Sequence, residues 1–227
     1  MTQQLPINYT VDIDDPDLKI ICKKINRKNK PLSIKMIDTP KPIGNCYWNA
    51  WAQAKEKGGK VVYGWLFHEW PKLYITAMHH AVWQSESGEL FDVSDKYDTD
   101  PIRTHSTFLP DDTVKIDLQR LPMITSHIIA RAKLPPAMDH VVKQLSMAYQ
   151  MRNSFEQRNA DIIYDCGYRC EYQFKKAATK DFEPTKIHFP NKLFQIEWQY
   201  NENMKFHYND AYVSSLHHIL NLLSLVR

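Results

Sequence analysis

The segment KLYITAMHHAVWQSESGELFDVS, Lys72 to Ser94, places two runs of β-branched and aromatic residues on either side of a short polar turn. Such runs read as paired strands. How the turn is made decides which side chains share a face. If the loop is Glu86-Ser87-Gly88, with Gly88 in the positive-φ position common in three-residue hairpins, Ser85 faces Glu89 and paired residue numbers sum to an even value. Residues of one parity then share a face. His80 and Asp92 fall together, with Asp92 opposite Val82 and about 7 Å diagonally from His80. His79 points the other way. A two-residue loop would exchange the two histidines. Asp92, set among Leu90, Phe91 and Val93, is poorly suited to a strand on propensity alone and calls for a partner.

Upstream lies PIGNCYWNAWAQAKEKGGK, Pro42 to Lys60. Asn45 is a good N-cap, Cys46, Ala50 and Ala54 lie on one face beside Tyr47 and Trp51, and Gly58-Gly59 ends the helix. A lone cysteine is by default a small buried hydrophobe. Here it opens a helix, where the positive end of the dipole and unpaired backbone amides favour a thiolate and can hold an oxyanion. A thiol nucleophile also needs a base and a group to orient that base. The chain offers both in the right order: Cys46 as nucleophile, His80 as general base and later acid, Asp92 to fix the His80 tautomer. Asn45, Tyr47, Trp48, His79 and Trp83 are candidates for the oxyanion site or substrate groove, against a plain core role for the aromatics.

A cysteine opening a helix, a histidine on a later strand and an aspartate a dozen residues on resemble the papain-like fold, most closely its transglutaminase-like branch. HHAVW matches at His80 and LFDVS at Asp92, and GNCYWNAW is similar to the family's Gly-x-Cys-Trp opening at Gly44, Cys46 and Trp48. The resemblance covers about Pro42 to Ser94; Tyr47 directly after the cysteine, and one extra residue between His80 and Trp83, depart from it. It implies an α+β fold with the cysteine at a helix N-terminus packed on an antiparallel sheet. It also implies a thioester mechanism on a protein or peptide amide, without a cofactor. Peptide hydrolysis, glutamine deamidation and transglutamination share this chemistry and stay open, beside a non-catalytic protein-binding module that keeps the fold.

Around this core the sequence predicts strands over Leu18 to Ile25, Leu32 to Ile37 and Lys60 to Phe67, then a polar, proline-interrupted surface loop, DKYDTDPIRTHSTFLPDD, after Ser94. The apolar spacing of Met138, Val141, Val142, Leu145, Ala148, Tyr149 and Phe155 predicts a helix over Pro136 to Gln157. KLFQIEWQY and MKFHY about NEN read as a hairpin, and an amphipathic helix follows from Ala211, carrying Val213, Leu216, Leu220, Leu223 and Val226. The organisation expected is one domain over residues 1–227, its core at about 42–100 with strands from 18–40, wrapped by a mixed helix and strand extension over 130–227.

Composition narrows the partners. With 43% apolar and 24% charged residues over 227 positions, the chain can bury a core. A net charge of +3 gives no basic face of the kind nucleic-acid binders show. The local cluster KKINRKNK, Lys23 to Lys30, reads as a solvated surface. No run of about 20 apolar residues and no signal peptide is seen, so a cytoplasmic protein, or one delivered into another cell without such a signal, is expected. Four scattered cysteines suggest no disulfide framework. Cys166 and Cys170 with His188 or His207 make a weak zinc signal, and no metal is expected. Oligomeric state is left open.

Overall fold

The computed structural model describes residues 8–98, 100–120, 125–170 and 188–225. Seven strands form one sheet in the order β1-β3-β6-β2-β5-β4-β7: β1 (Tyr9–Thr10), β2 (Leu32–Lys41), β3 (Lys60–Trp70), β4 (Tyr74–Gln84), β5 (Leu90–Ser94), β6 (His105–Pro110) and β7 (Ser126–Ala130). β3 also pairs with β4 along its whole length, from Lys60↔Gln84 to Trp70↔Tyr74. That pairing closes β3-β6-β2-β5-β4 into a small barrel. β2 and β5 are parallel and the other pairs antiparallel.

Every antiparallel register inside the ring joins residues of like parity, as in Leu66↔Phe108, Leu66↔Met78 and Ile34↔Ser106. Even-numbered side chains therefore face one way around the ring. Ile34, Leu66, Val82 and Phe108 fill the interior. Gly64 makes room for them: a Cβ there would lie 2.2 Å from the Leu109 carbonyl oxygen and 2.6 Å from the Phe108 ring. Odd-numbered side chains face outward and carry two helices. α1 (Pro16–Ile25) covers Trp65, Phe67, Ile75, Ala77 and Leu109, and α2 (Cys46–Lys57) covers Ala81 and Val93.

β4 changes neighbours midway. Its last residues pair with β5, at Trp83↔Phe91 and Gln84↔Leu90, and its first half pairs with β7, from Tyr74↔Ala130 to Met78↔Ser126. Where β7 replaces β5 the barrel opens. There the long helices α3 (Pro136–Asp165) and α4 (Lys192–Leu225) pack together and onto the sheet through Met138, Val141, Val142, Leu145, Leu216 and Ile219, against Leu73, Tyr74 and Ile128.

Four sequence expectations are corrected here. Leu18 to Ile25 is helical, because Asp15 caps the first turn by accepting from the Asp17 and Leu18 amides at 2.8 and 3.1 Å, and Pro16 starts it well. The basic cluster that follows contributes Lys23 and Lys24 to the helix's last turn, where cations suit the dipole. The loop expected after Ser94 contains β6, which lies between β3 and β2 with Phe108 and Leu109 fully buried. The expected NEN hairpin is the interior of α4, a single helix that also includes the helix predicted from Ala211. The C-terminal extension, in its described part, is accordingly helical rather than mixed. Residues 171–187 of that extension, and Val226, lie outside the described residues.

Candidate active site

The hairpin turn fixes the site. Gly88 has φ +88°, the Ser85 amide donates to the Glu89 carbonyl at 2.9 Å, and Trp83 stands opposite Phe91. This is the register with even sums. It puts His80 and Asp92 on one face, with both side chains buried and His80 Nε2 3.0 Å from Asp92 Oδ1. Asp92 is held on all sides: Oδ1 also accepts from the Ser94 amide at 3.2 Å, Oδ2 accepts from Ser106 Oγ at 2.9 Å, and the Arg103 guanidinium stands 4.0 Å from Oδ2. Arg103 also bonds His68 Nε2. Burial works against the charge on Asp92, yet His80 and Arg103 hold its carboxyl down at about 2.

Cys46 is the first residue of α2 and is nearly inaccessible. Gly44, with φ +81°, makes the turn into the helix in a conformation that favours glycine. Asn45 occupies the cap position without a side-chain cap bond; its Nδ2 donates instead to the Ile43 carbonyl at 3.5 Å. Asn49, one turn on, ties the helix to the barrel, donating from Nδ2 to the Pro42 carbonyl at 2.8 Å and to Ser94 Oγ at 2.9 Å. Because Ser94 ends the strand that carries Asp92, one buried carboxamide sets the helix start against the His80 and Asp92 pair. His80 Nδ1 makes no regular hydrogen bond. The Cys46 thiol stands beside this ring: burial alone would lower the His80 pKa, but Asp92 and Cys46 together raise it to about 10.

Cys46 and His80 open on a cavity of about 420 Å³. It runs along the even face of β4, past Met78, Thr76 and Tyr74, and under α3 and α4, where Tyr149, Arg152 and Tyr212 line it. None of the side chains of Asn45, Tyr47, Trp48, His79 or Trp83 lines this cavity. They lie on the packing side of α2 or on the outward face of the strands. Tyr47 Oη bonds His79 Nδ1 at 2.9 Å in a cluster with Tyr63 and Trp65. Trp48 is buried, and Trp83 stacks on Phe91 and donates from Nε1 to the Gly58 carbonyl. Burial holds His79 down at about 4, a neutral core imidazole.

Ser106, Arg103 and Asn49 were not singled out in the sequence. The alternation of HSTFLP, with Ser106 and Phe108 two apart between flanking prolines, was the available signal for a strand and hence for Ser106. Nothing in the sequence pointed to Arg103 or Asn49. Elsewhere, Cys166 ends α3 and Cys170 is buried, all four cysteines are free, and no group of His, Cys, Asp and Glu among the described residues is placed to hold a metal ion. No described helix is long and apolar enough to cross a membrane.

In comparisons with known proteins, no family model matches this chain, and no curated protein and no solved structure matches it.

Proposed function

We propose that this protein is a thiol-dependent amide hydrolase or acyl-transfer enzyme with Cys46 as nucleophile, His80 as general base and acid, and Asp92 orienting the imidazole. The observation that carries this reading is the position of His80. One ring nitrogen is committed to a buried carboxylate at 3.0 Å, and the other is left without a regular partner beside a thiol that begins a helix and borders a cavity. His79 Nε2 is unbonded as well, so what distinguishes His80 is the combination of a carboxylate on one ring nitrogen and a thiol beside the other.

In the proposed mechanism His80 takes the Cys46 proton and holds it as an imidazolium stabilised by Asp92. The thiolate sulfur attacks the amide carbon, forming a C–S bond and an oxyanion that the free amides of the first turn of α2 can receive. Collapse breaks the C–N bond, and His80 gives its proton to the departing amine. Water, or a second amine, then attacks the thioester with His80 again acting as base, and the thiol is restored. Ser106 and Arg103 hold Asp92, and Asn49 holds the helix start.

Taken with the barrel and the helix-borne cysteine, this arrangement supports the resemblance to papain-like and transglutaminase-like enzymes, and with it an amide on a protein or peptide as substrate. The test is trapping. Incubated with an activated acyl ester, the wild type should form one acyl adduct, located on Cys46 by mass spectrometry, and Cys46→Ala should form none. Equal labelling of the variant would reject the reading.

A further inference from the structure

The cavity has a second wall that the triad does not use. Arg152, on α3, lines it together with Tyr149 and Tyr212. Its guanidinium lies over both tyrosine rings, 4.9 Å from the centroid of Tyr149 and 5.9 Å from that of Tyr212. Its other contacts are long ones to carboxamide oxygens, Asn209 Oδ1 at 3.4 Å and Asn153 Oδ1 at 3.5 Å. Its Nε is buried and makes no hydrogen bond, and Ser126 Oγ, on the sheet wall of the same cavity, is also buried and unbonded. Buried donors are normally satisfied, and with Arg103 Nε there are three unsatisfied ones on this cavity, which call for an acceptor.

The other cations on this cavity are already engaged. Arg103 holds Asp92 and His68 through its two terminal nitrogens, although its Nε is unbonded, and Lys96 donates to the Tyr97 and Asp100 carbonyls. No carboxylate among the described residues forms an ion pair with Arg152. One planar cation with no carboxylate partner among the described residues, flanked by aromatic rings, matches a single carboxylate better than a multiply charged phosphate.

The distance along the sheet is also suited to a substrate. His80 lies at the catalytic end of the β4 face, and Thr76, four residues away, is about 13 Å along the strand. Asn153, next to Arg152, meets Ser126 in an adjoining surface pocket, and Ser126 pairs with Met78, so the helical wall lies opposite this part of β4. A volume of about 420 Å³ holds a compact group, not a length of folded chain.

We propose that Arg152, with Ser126, binds a carboxylate carried on the acyl side of the bond that Cys46 attacks. This inference rests on the thiol mechanism proposed above. The acyl group is then either a short dicarboxylic acid joined through one end, or a peptide segment with an acidic side chain close to the scissile bond.

The test uses the full chain and Cys46 acylation, in which the sulfur forms a C–S bond with the ester's carbonyl carbon, the C–O bond between that carbon and the aryloxy oxygen breaks, and p-nitrophenolate is released. Mono-p-nitrophenyl esters of succinate, glutarate, adipate and suberate are compared with uncharged esters of matching length. A second arm compares p-nitrophenyl esters of acetyl-Glu-Ala and acetyl-Gln-Ala, separating a free acid from an acidic peptide. The readout is the ratio of charged to uncharged rates, which cancels general damage to the thiol. In the wild type one charged member should react about tenfold faster than its uncharged match or more, the size of one charge-assisted hydrogen bond. Arg152→Gln should bring that ratio to about one, and Arg152→Lys should retain part of it. Preference in either arm supports the inference and names the source. Cys46-dependent acylation with a ratio near one in both arms, or a preference that survives Arg152→Gln, overturns the inference and leaves the thiol mechanism standing. Acylation that does not depend on Cys46 overturns both.

Discussion

His80 meets Asp92 at 3.0 Å at the point where β4 and β5 have stopped pairing. The last joined residues are Trp83 and Phe91, and beyond them β5 continues beside β2, where Met36 stands opposite Asp92. Divergence of the two strands makes room in the barrel for an imidazole and a carboxylate, and Gly64, opposite His80, keeps it.

From that relationship follows the effect of neutralising the carboxylate. Asp92→Asn keeps the shape but removes the charge that stabilises an imidazolium and selects its tautomer. Acylation of Cys46 by an ester should slow by about 10²- to 10⁴-fold, the range of general acid–base catalysis. Ser106→Ala, which frees Asp92 Oδ2 from one partner, should have the smaller effect of the two. Stopped-flow release of p-nitrophenolate measures both.

Stability should peak near neutral pH. His80 is raised to about 10, since Asp92 and Cys46 outweigh burial, so its contribution is complete below its unfolded value of 6.5 and is lost as the pH rises toward 10. His68 and His79 run the other way. Burial, aided at His68 by Arg103 and at His79 by His80, holds them near 3 and 4. As the pH falls through 6.5 the unfolded chain takes up protons there that the folded chain refuses, and stability drops. Each such proton is worth about 1.4 kcal/mol per pH unit. The Asp92 contribution, present above 3.8, is lost only as the pH approaches 2. Urea midpoints measured from about pH 5 to about pH 8.5 should pass through a maximum, and His80→Gln should flatten the alkaline limb. A midpoint still rising at the alkaline end in the wild type would contradict a charged His80.

The barrel predicts two core costs. Gly64→Ala forces a Cβ to 2.2 Å from a backbone carbonyl that cannot swing aside, because β3 is paired on both sides. Overpacking of this kind costs about 1–3 kcal/mol. Phe108→Ala empties part of the barrel interior and should cost about 3–5 kcal/mol. A phenylalanine on a surface loop would cost within about 0.5 kcal/mol, so equilibrium unfolding of this one variant separates a central strand from a loop.

Continuity of α4 can be tested at its middle. Asn203→Pro, inside NEN, would be tolerated in a hairpin loop, but in a helix interior it removes a backbone bond and clashes with the preceding turn, at about 3 kcal/mol. Circular dichroism and urea unfolding read the outcome.

The sequence was most informative where local chemistry leaves one option. Gly88 dictates its turn, the turn dictates parity, and parity brings His80 to Asp92; Gly58-Gly59 ends α2 where glycine is needed. It misled where propensity and punctuation disagree. LKIICKKI is rich in isoleucine, yet Asp15 and Pro16 start a helix before it. The aromatics of KLFQIEWQY suggest a strand, but no Gly or Pro interrupts residues 191–227, a continuity that suits one long helix. Pro101 and Pro110 suggest a broken loop, whereas they bracket β6, and the Ser106 anchor of Asp92 is hidden with that strand. Insertion of β6 between β3 and β2, and the parallel pairing of β2 with β5, are set by contacts distant in sequence that no local pattern encodes.

The central claim is that Cys46 is the activated thiol of a site built with His80. It is tested most directly by timed alkylation with iodoacetamide at about pH 6.5, resolved cysteine by cysteine by mass spectrometry. Burial raises the thiols of Cys22 and Cys170 to about 11 and 12, and Cys166 is the most accessible of the four. The account predicts that Cys46, though nearly inaccessible, reacts about tenfold faster than Cys166 or more, and that His80→Gln abolishes the difference. Alkylation of Cys46 no faster than of Cys166, with the fold intact, would contradict it.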